Sequence, residues 1–430
     1  MDPTRRPELE IVVKFIFFHL MPYADLPADF PERHRSVWVD IDPSLYDANK
    51  GRQMYLDYLD ELEFAAAAGF DGVGVNEHHA NGYGLMPSPN LMAATLARNT
   101  SDAAVVVLGD SLALYNPPLR VAEELAMLDV ISGGRVVAGF PVGTAMDTCF
   151  AYGIDPATLR ERYDEAHDLI VRAWTEPEPF TFNGRYTKLR SVNCWPRPIQ
   201  RPHPPIWVPG GGSIETWQWC AETSYVYCYL SYYGYKLGRP QMRGFWEHVR
   251  SLGLDPNPYR TGFAQFVAVA DTDAEARELY REPAEYFYKR CLHVHGGYAE
   301  PPGYKTEATV RAGVRSQVEM ASRSGADQPK SGSKAALAGI TFDDIVEKGY
   351  VILGSPTTVA EKLAEVAKDL NVGHMITFLH FGNMSKELCT YNTKLFAERV
   401  LPEVGSLFDD EWEDLWWPSG ARTSSAPVRA

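Results

Sequence analysis

Short apolar runs alternate with longer amphipathic stretches along most of this chain. The apolar runs predict strands at residues 11–18, 72–75, 104–109, 135–139, 205–208, 225–229, 262–268 and 375–379. Helical periodicity is clearest at residues 52–68, 119–131 and 158–175. Short strands that alternate with longer helices indicate a parallel sheet, and eight such units favour closure into a barrel. We therefore expect an α/β protein, a (β/α)8 TIM barrel with insertions in the βα loops.

Two segments and the C-terminal end depart from this alternation. Residues 176–205 are rich in proline and aromatic residues, and residues 296–349 contain Pro, Gly, Ser and Lys clusters around a predicted helix at 306–321. We expect residues 1–405 to form a single domain in which 296–349 is a mobile insertion, because insertions of this length are usually functional or mobile. We expect residues 406–430 to form a tail that is partly disordered in its last ten residues and whose tryptophans cover a subunit or barrel surface.

Charge and cysteine usage narrow the range of partners. The 430 residues include 41 basic and 56 acidic ones, a net charge of −15, which disfavours nucleic acid and anionic membranes. The six cysteines are scattered without CxxC spacing, which is typical of reduced thiols in a cytoplasmic protein. The first apolar run contains Lys14 and His19, so it resembles neither a signal peptide nor a membrane span.

The chemistry of a (β/α)8 barrel lies on the loops that leave the C-terminal ends of its strands. The second predicted strand ends in Asn76, Glu77, His78 and His79. Adjacent imidazoles beside a carboxylate can supply a general base or a hydrogen-bond donor to a bound anion, although they can also simply satisfy loop carbonyls. Neighbouring residues of an extended chain point in opposite directions, so we expect no metal site here.

Two further loops offer groups that suit a phosphate. Gly210, Gly211, Gly212 and Ser213 precede a predicted helix that also carries Thr216. Glycines let a ligand approach the backbone, and the start of a helix offers free N–H groups, yet Ser213 could equally be an ordinary N-cap. After the fourth strand come Gly143 and Thr144, and Arg160 begins the next helix.

Together these motifs resemble the bacterial-luciferase-like flavin monooxygenases. The resemblance covers roughly residues 11–404. Its motifs, in the family's order, are FDGVGVNEHH (70–79), NPPLRVAEE (116–124), SGGR (132–135), WPRPIQRPHPPIW (195–207), the glycine turn at 210–213, GSP (354–356) and VLP (400–402).

The resemblance implies a barrel that binds reduced FMN, supplied by a separate flavin reductase. In this family the reduced flavin reacts with O2 and forms a flavin (hydro)peroxide. We expect one oxygen atom to be transferred to an apolar or aromatic organic substrate beneath a lid at 296–349. It implies catalytic roles for His78 and His79 and a homodimer or higher homo-oligomer. The implied cofactor-binding residues are Asn76, Glu77, Leu108, Asp110, Gly143, Thr144, Arg160, Gly211, Gly212, Ser213 and Thr216, with Asp71 on the same face.

The match has departures, and alternatives stay open. Luciferase has a reactive cysteine and an arginine where this chain has Pro141 and Val142, which argues against light emission. Relatives that use the deazaflavin F420 transfer hydride instead, and a non-catalytic flavin-binding subunit is a second alternative. A metal-dependent barrel hydrolase would need a His-x-His pair at the first strand, where only His19 is present.

Overall fold

Eight parallel strands form a closed barrel in the computed structural model, which describes residues 11–305, 307, 309–311, 337, 339–404, 406–408 and 412–422. The strands are β1 (Lys14–Phe18), β2 (Gly72–Val75), β3 (Ala104–Leu108), β4 (Val136–Gly139), β5 (Ile206–Gly210), β6 (Val226–Tyr229), β7 (Thr261–Val269) and β8 (His374–Phe378). Each strand pairs with the next in chain order, and β8 pairs with β1. The predicted (β/α)8 TIM barrel is confirmed.

The strands are buried along almost their whole length, as expected for parallel strands covered by helices. In the described part of the chain, the α-helices of six or more residues are α1 (Ala48–Ala67), α2 (Pro89–Asn99), α3 (Leu119–Ser132), α4 (Leu159–Thr175), α5 (Ile214–Thr223), α6 (Gly234–Ser251), α7 (Asp273–Leu279), α8 (Arg281–Tyr286), α9 (Phe342–Glu347), α10 (Pro356–Leu370) and α11 (Lys386–Arg399). Single turns lie at Phe30–Arg33, Gly296–Ala299 and Leu401–Val404, 3₁₀ turns at Pro43–Leu45, Leu112–Leu114 and Pro258–Arg260, and π-helical turns at Met146–Ala151 and Phe287–Cys291.

Most predicted boundaries differ from the structure by one or two residues, and two differ by more, each because of a contact that periodicity does not reveal. The predicted strand at 11–18 is two strands, since Ile11–Val12 pairs with Ser406–Phe408 and β1 begins at Lys14. Helix α1 begins four residues before the predicted start, because the carboxylate of Asp47 accepts hydrogen bonds from the amides of Asn49 and Lys50.

The insertions add structure outside the barrel. Residues 176–205 contain an antiparallel hairpin of Phe180–Asn183 and Lys188–Val192, and Val351–Gly354 pairs in parallel with the end of β7. Of the predicted mobile insertion, the structure describes only the two ends, including Gly296–Ala299 and α9. The predicted helix at 306–321 lies mostly outside the described residues, and the lid remains a prediction.

The C-terminal tail covers the amino-terminal ends of the barrel strands. The indole N–H of Trp207 donates to the carbonyl of Trp416, and the ring of Trp417 stacks on His374. Asp71 also lies at this end, where it accepts a hydrogen bond of 2.8 Å from the amide of Phe15. The expectation that Asp71 lines the cofactor face is therefore wrong, since that face is at the opposite end. Among the described residues no helix combines the length and apolar character needed to cross a membrane.

Candidate active site

The loops after β2 and β4 bring His78 and Asp147 together. Nδ1 of His78 lies 2.8 Å from Oδ2 of Asp147, and the two side chains are 9% and 3% exposed. The amide of His79 donates to Oδ1 of the same carboxylate at 2.9 Å, and the hydroxyl of Thr144 donates to Oδ2 at 2.9 Å. Asp147 thus receives hydrogen bonds at both oxygens.

These contacts determine the protonation of the pair. Burial alone would raise the pKa of Asp147, but the interaction with His78 and the hydrogen bonds from His79 and Thr144 outweigh burial and hold that pKa below its usual value. An ionised Asp147 accepts the hydrogen of His78 Nδ1, so the neutral imidazole has its lone pair on Nε2. Asp147 was not predicted as the partner of His78, because it lies 69 residues away along the chain in a π-helical turn.

An aromatic wall of Trp38, Tyr83 and Tyr232 adjoins this imidazole. The rings of Trp38 and Tyr83 stack with centroids 4.2 Å apart, and Tyr83 meets His78 edge-on at 4.7 Å. The hydroxyls of Tyr83 and Tyr232 are hydrogen-bonded to each other. Trp38 was not predicted as a site residue, because it lies in an irregular segment between β1 and α1.

His79 belongs to a second hydrogen-bonded group. Its Nε2 lies 2.8 Å from Oε1 of Glu77, and its Nδ1 lies 3.2 Å from the hydroxyl of Tyr152. Glu77 also accepts hydrogen bonds from the amide of Ser111 and the hydroxyl of Tyr115. The two adjacent histidines therefore have different carboxylate partners, as expected for neighbours on an extended chain.

The remaining predicted residues of β2 and β3 are buried beside this group. Leu108 is the last residue of β3, and Asp110 follows it with no exposed surface. Asp110 accepts a hydrogen bond from Asn90, so it lies against helix α2. The side-chain oxygen of Asn76 is buried and has no hydrogen-bond partner among the described residues. Such an orphaned acceptor is typical of a site that awaits a donor.

Residues predicted to bind a phosphate come together where β5 leads into α5, and we call them the phosphate cradle. Arg160 Nη2 lies 3.4 Å from the hydroxyl oxygen of Thr216, so two predicted residues from different loops meet. Ser213 occupies the N-cap position but makes no side-chain capping bond, and its hydroxyl donates to Glu215 at 2.8 Å. The simple capping interpretation is therefore not supported. Gly212, at φ +113°, adopts a backbone conformation that favours glycine.

A tyrosine that lies near Arg160 contacts the loop that carries Asp147. The hydroxyl of Tyr304 donates to the carbonyl of Gly143 at 2.6 Å. Burial raises the pKa of Tyr304, and Arg160 and Asp147 are both close enough to influence it electrostatically. Gly143 has φ +93°, and a Cβ there would lie 2.6 Å from Thr148 Cγ2, so this turn requires glycine.

One group of potential metal ligands occurs among the described residues: His19 after β1, Glu61 on α1 and His380 after β8. Oε2 of Glu61 lies 2.9 Å from both His19 Nε2 and His380 Nδ1. The amide of Met21 donates to His19 Nδ1 at 2.8 Å, so a neutral His19 carries its hydrogen on Nε2 and has no lone pair there for an ion. Burial lowers the pKa of His19 from 6.5 to about 4, which keeps it neutral. Hydrogen bonds therefore account for this cluster.

The chain is similar to known proteins over most of its length. The family described as "Luciferase-like monooxygenase" matches residues 43–372. The FMNH(2)-dependent dimethylsulfone monooxygenase of Pseudomonas putida is 27% identical over 384 residues, which cover 87% of this chain and 90% of that protein. Two other relatives align over a smaller part, because this chain covers only 50% and 45% of their own lengths.

Solved structures with the same fold include enzymes of two cofactor classes. The oxygenating constituent of 3,6-diketocamphane monooxygenase from Pseudomonas putida, in complex with FMN, has a TM-score of 0.66 at 20% identity and covers 91% of this chain and 99% of its own. An F420-dependent secondary alcohol dehydrogenase has a TM-score of 0.59 at 16% identity, with 91% and 99% coverage. At these identities the likeness establishes the fold alone. The family match over residues 43–372 confirms the resemblance seen in the sequence, and the chain belongs to the luciferase-like monooxygenase family.

Proposed function

We propose that this protein is an FMNH2-dependent monooxygenase that uses O2 to insert one oxygen atom into an apolar or aromatic organic substrate. The observation that carries the proposal is the His78–Asp147 pair, which shares its end of the barrel with the cradle formed by Arg160, Ser213 and Thr216. The dimethylsulfone monooxygenase, named as FMNH2-dependent and aligned over most of both chains, supports the cofactor and the reaction type.

The residues present fit a flavin mononucleotide. The guanidinium of Arg160 forms no ion pair within the described part of the chain, and it lies beside the start of α5, where free N–H groups favour an anion. The orphaned oxygen of Asn76 suits a ring N–H donor. One feature opposes a phosphate: the Ser213 hydroxyl donates to the carboxylate of Glu215, so the phosphate would have to compete with that carboxylate.

Bound reduced FMN would supply the electrons that O2 requires. The chain contributes the surroundings of that reaction. His78, held by Asp147, presents the lone pair of Nε2 as a proton acceptor or hydrogen-bond partner. Trp38 and Tyr83 cover the imidazole with apolar surface and limit the access of water, which strengthens local electrostatic interactions. The same aromatic surface favours an apolar or aromatic substrate.

The decisive experiment supplies chemically reduced FMN and ¹⁸O2 to the purified protein with a panel of organic compounds. Mass spectrometry should find one ¹⁸O atom in a product. Hydride transfer with reduced F420, without O2 consumption, would replace the proposal with the dehydrogenase alternative. Binding of FMN without turnover of any compound would instead favour a non-catalytic flavin-binding subunit.

The cradle is tested by comparing cofactors with and without a phosphate. Arg160→Ala should weaken FMN binding about tenfold or more, since it removes a charge-assisted contact worth roughly 1.5–3 kcal/mol. Riboflavin binding should be unaffected. Arg162→Ala is the matched control, because Arg162 is on the same helix but stacks on Tyr186 instead. Equal weakening of FMN and riboflavin would show that Arg160 does not bind the phosphate.

The proposal extends to partners and compartment. A separate flavin reductase supplies the reduced cofactor, a division of labour that the name "oxygenating constituent" implies for the diketocamphane enzyme. The six cysteines are free thiols, five of them buried, which supports a reducing compartment and hence the cytoplasm.

Exposed apolar side chains on α2 and α3, two helices that pack against each other, support a homodimer. They are Leu91, Met127, Val130 and Ile131, exposed by 66%, 47%, 44% and 48%. Light scattering should give twice the chain mass for the wild type and the monomer mass for Val130→Asp. A monomeric wild type would refute the dimer.

A further inference from the structure

Two buried carboxyl groups, Glu77 and Asp110, lie on either side of the hydroxyl of Tyr115. That hydroxyl oxygen is 3.0 Å from Glu77 Oε1 and 3.2 Å from Asp110 Oδ1. Glu77 is 6% exposed and Asp110 is fully buried. No lysine or arginine of the described residues forms an ion pair with either group, and the one titratable base in contact with them, His79, lies against Glu77 and not against Asp110.

The hydrogen bonds around the two carboxyl groups are unequal. Glu77 receives donors at both oxygens, from His79 Nε2 at 2.8 Å, the Ser111 amide at 2.6 Å and Tyr115. Apart from Tyr115, Asp110 receives only the side-chain amide of Asn90 at 3.0 Å, and its Oδ2 is buried without a partner among the described residues. An ionised carboxylate is costly to bury without donors and takes up a proton instead.

The single hydrogen of Tyr115 determines the direction of the chain of bonds. A tyrosine hydroxyl donates once and accepts through its lone pairs. Glu77 is the closer carboxylate and receives more hydrogen bonds. When Tyr115 donates to Glu77, a lone pair of the Tyr115 hydroxyl faces Asp110 Oδ1. The contact with Asp110 is then attractive only if Asp110 carries a hydrogen. The resulting order is Asp110 O–H to Tyr115, Tyr115 O–H to Glu77, and His79 Nε2–H to Glu77.

We propose that Asp110 is a neutral carboxylic acid and a positioning residue, which directs the hydrogen of Tyr115 to Glu77 and so keeps Glu77 ionised and His79 in its Nε2–H form. His79 Nδ1 is then left as the acceptor for the hydroxyl of Tyr152. The role in turnover rests on the proposed monooxygenase function. The protonation of Asp110 does not, since it concerns the protein without cofactor.

The charges around Asp110 agree with this assignment. Burial raises the pKa of Asp110 well above its usual 3.8, the negative charges of Glu77 and Glu124 raise that pKa further, and the contacts with Tyr115 and Asn90 do not offset these effects. Glu124 faces Asp110 from α3 through the shared amide of Asn90, and the exposed Arg120 is bound to Glu124.

Infrared difference spectroscopy tests the protonation directly. The spectrum of the wild type minus that of Asp110→Asn at neutral pH should contain the carbonyl band of a protonated carboxylic acid, and ¹³C labelling of aspartate should shift that band. A spectrum with only carboxylate bands would overturn the proposal. Because this measurement needs no flavin, its failure is distinguishable from failure of the proposed function.

The pH dependence of unfolding gives a second test with a defined sign. The unfolded wild type releases the Asp110 proton above about pH 4, while the folded state retains it, so folding becomes less favourable as the pH rises. The folding equilibrium constant of Asp110→Asn has no such dependence. The ratio of this constant to that of the wild type should therefore rise by up to tenfold for each pH unit above about pH 4.

Asp102→Asn is the matched control for this test. Burial would raise the pKa of Asp102, but the bonds from Arg422 and Ser101 hold it below 3.8. Asp102→Asn should be less stable than the wild type at neutral pH. In acid, where the wild-type carboxylate is protonated, the two proteins should be equally stable. If Asp110→Asn followed the same course as Asp102→Asn, the proposed neutral acid would be excluded.

A functional test uses the pH profile of kcat/KM. Asp110→Ala removes a neutral O–H donor and leaves Tyr115 with Glu77 as its acceptor, so the acid limb and the Nε2–H tautomer of His79 in ¹⁵N spectra should stay as in the wild type. Asp110→Asn replaces the O–H with an amide N–H, which is also neutral, and should give the same profile. If Asp110 were an anion, both variants would remove a negative charge and move the limb to lower pH.

Discussion

Replacing Asp147 with asparagine should change which nitrogen of His78 carries hydrogen while leaving the shape of the site intact. In the wild type, Asp147 Oδ2 accepts from His78 Nδ1 at 2.8 Å, and Oδ1 accepts from the His79 amide at 2.9 Å. Asparagine keeps the oxygen that faces the His79 amide, so its NH2 group points at His78. His78 Nδ1 must then accept a hydrogen bond from this NH2 group, so the imidazole hydrogen moves to Nε2. Nε2, which points away from Asp147, then has no lone pair to act as a proton acceptor.

The loss of activity and the loss of stability expected for Asp147→Asn differ in size. A positioned general acid or base contributes about 10²–10⁴-fold to a rate, so kcat/KM should fall by that range if Nε2 of His78 takes part in turnover. Stability should change less, by about 1–3 kcal/mol, because the hydrogen bonds of Oδ2 with His78 and Thr144 are weakened while the His79 amide keeps its partner. FMN affinity should stay within a few-fold, since Asp147 lies outside the phosphate cradle.

The assay measures product formation with reduced FMN, FMN affinity by fluorescence and unfolding in urea for the wild type and Asp147→Asn. Asp155→Asn is the control, because Asp155 is an exposed acid on the same loop. Turnover within about threefold of wild type would refute the orienting role of Asp147. A parallel loss of FMN affinity would mean that Asp147 supports the cofactor rather than the imidazole.

Three further outcomes follow from the contacts and burial of individual side chains. Glu215→Gln should strengthen FMN binding by up to about tenfold without affecting riboflavin, because it removes a negative charge next to the phosphate cradle; weaker FMN binding by fluorescence titration would contradict this. Arg135→Met should lower the unfolding free energy by about 3 kcal/mol or more in urea, since the buried guanidinium donates to carbonyls at the C-terminal end of α2; a loss below about 1 kcal/mol would contradict it. Burial lowers the pKa of His19 from 6.5 to about 4, so its contribution to stability is present above pH 6.5 and is lost as the pH falls toward 4. His19→Gln should therefore flatten the decline of the unfolding free energy across that interval, and parallel declines would argue against a neutral His19.

The strands and the main helices could be predicted from the sequence because their signals are local. A run such as residues 104–108, AVVVL, can be buried only as a strand covered on both faces, and it is β3. The order of the motifs likewise identified the family, and Arg160 and Thr216 do meet in the structure as the resemblance implied. Boundaries depended on single capping contacts, as at Asp47, which periodicity does not encode.

The partners of the site residues were decided only by closure of the barrel. Asp147 reaches His78 across 69 residues because β2 and β4, separated by β3, end at the same rim of the barrel. Tyr115 lies between Glu77 and Asp110 for the same reason, and the ionisation of each carboxyl depends on donors that come from other loops. The sequence therefore determined which chemical groups line the barrel mouth. The tertiary structure determined their protonation, because the free energy of a buried charge depends on the neighbours that folding brings to it.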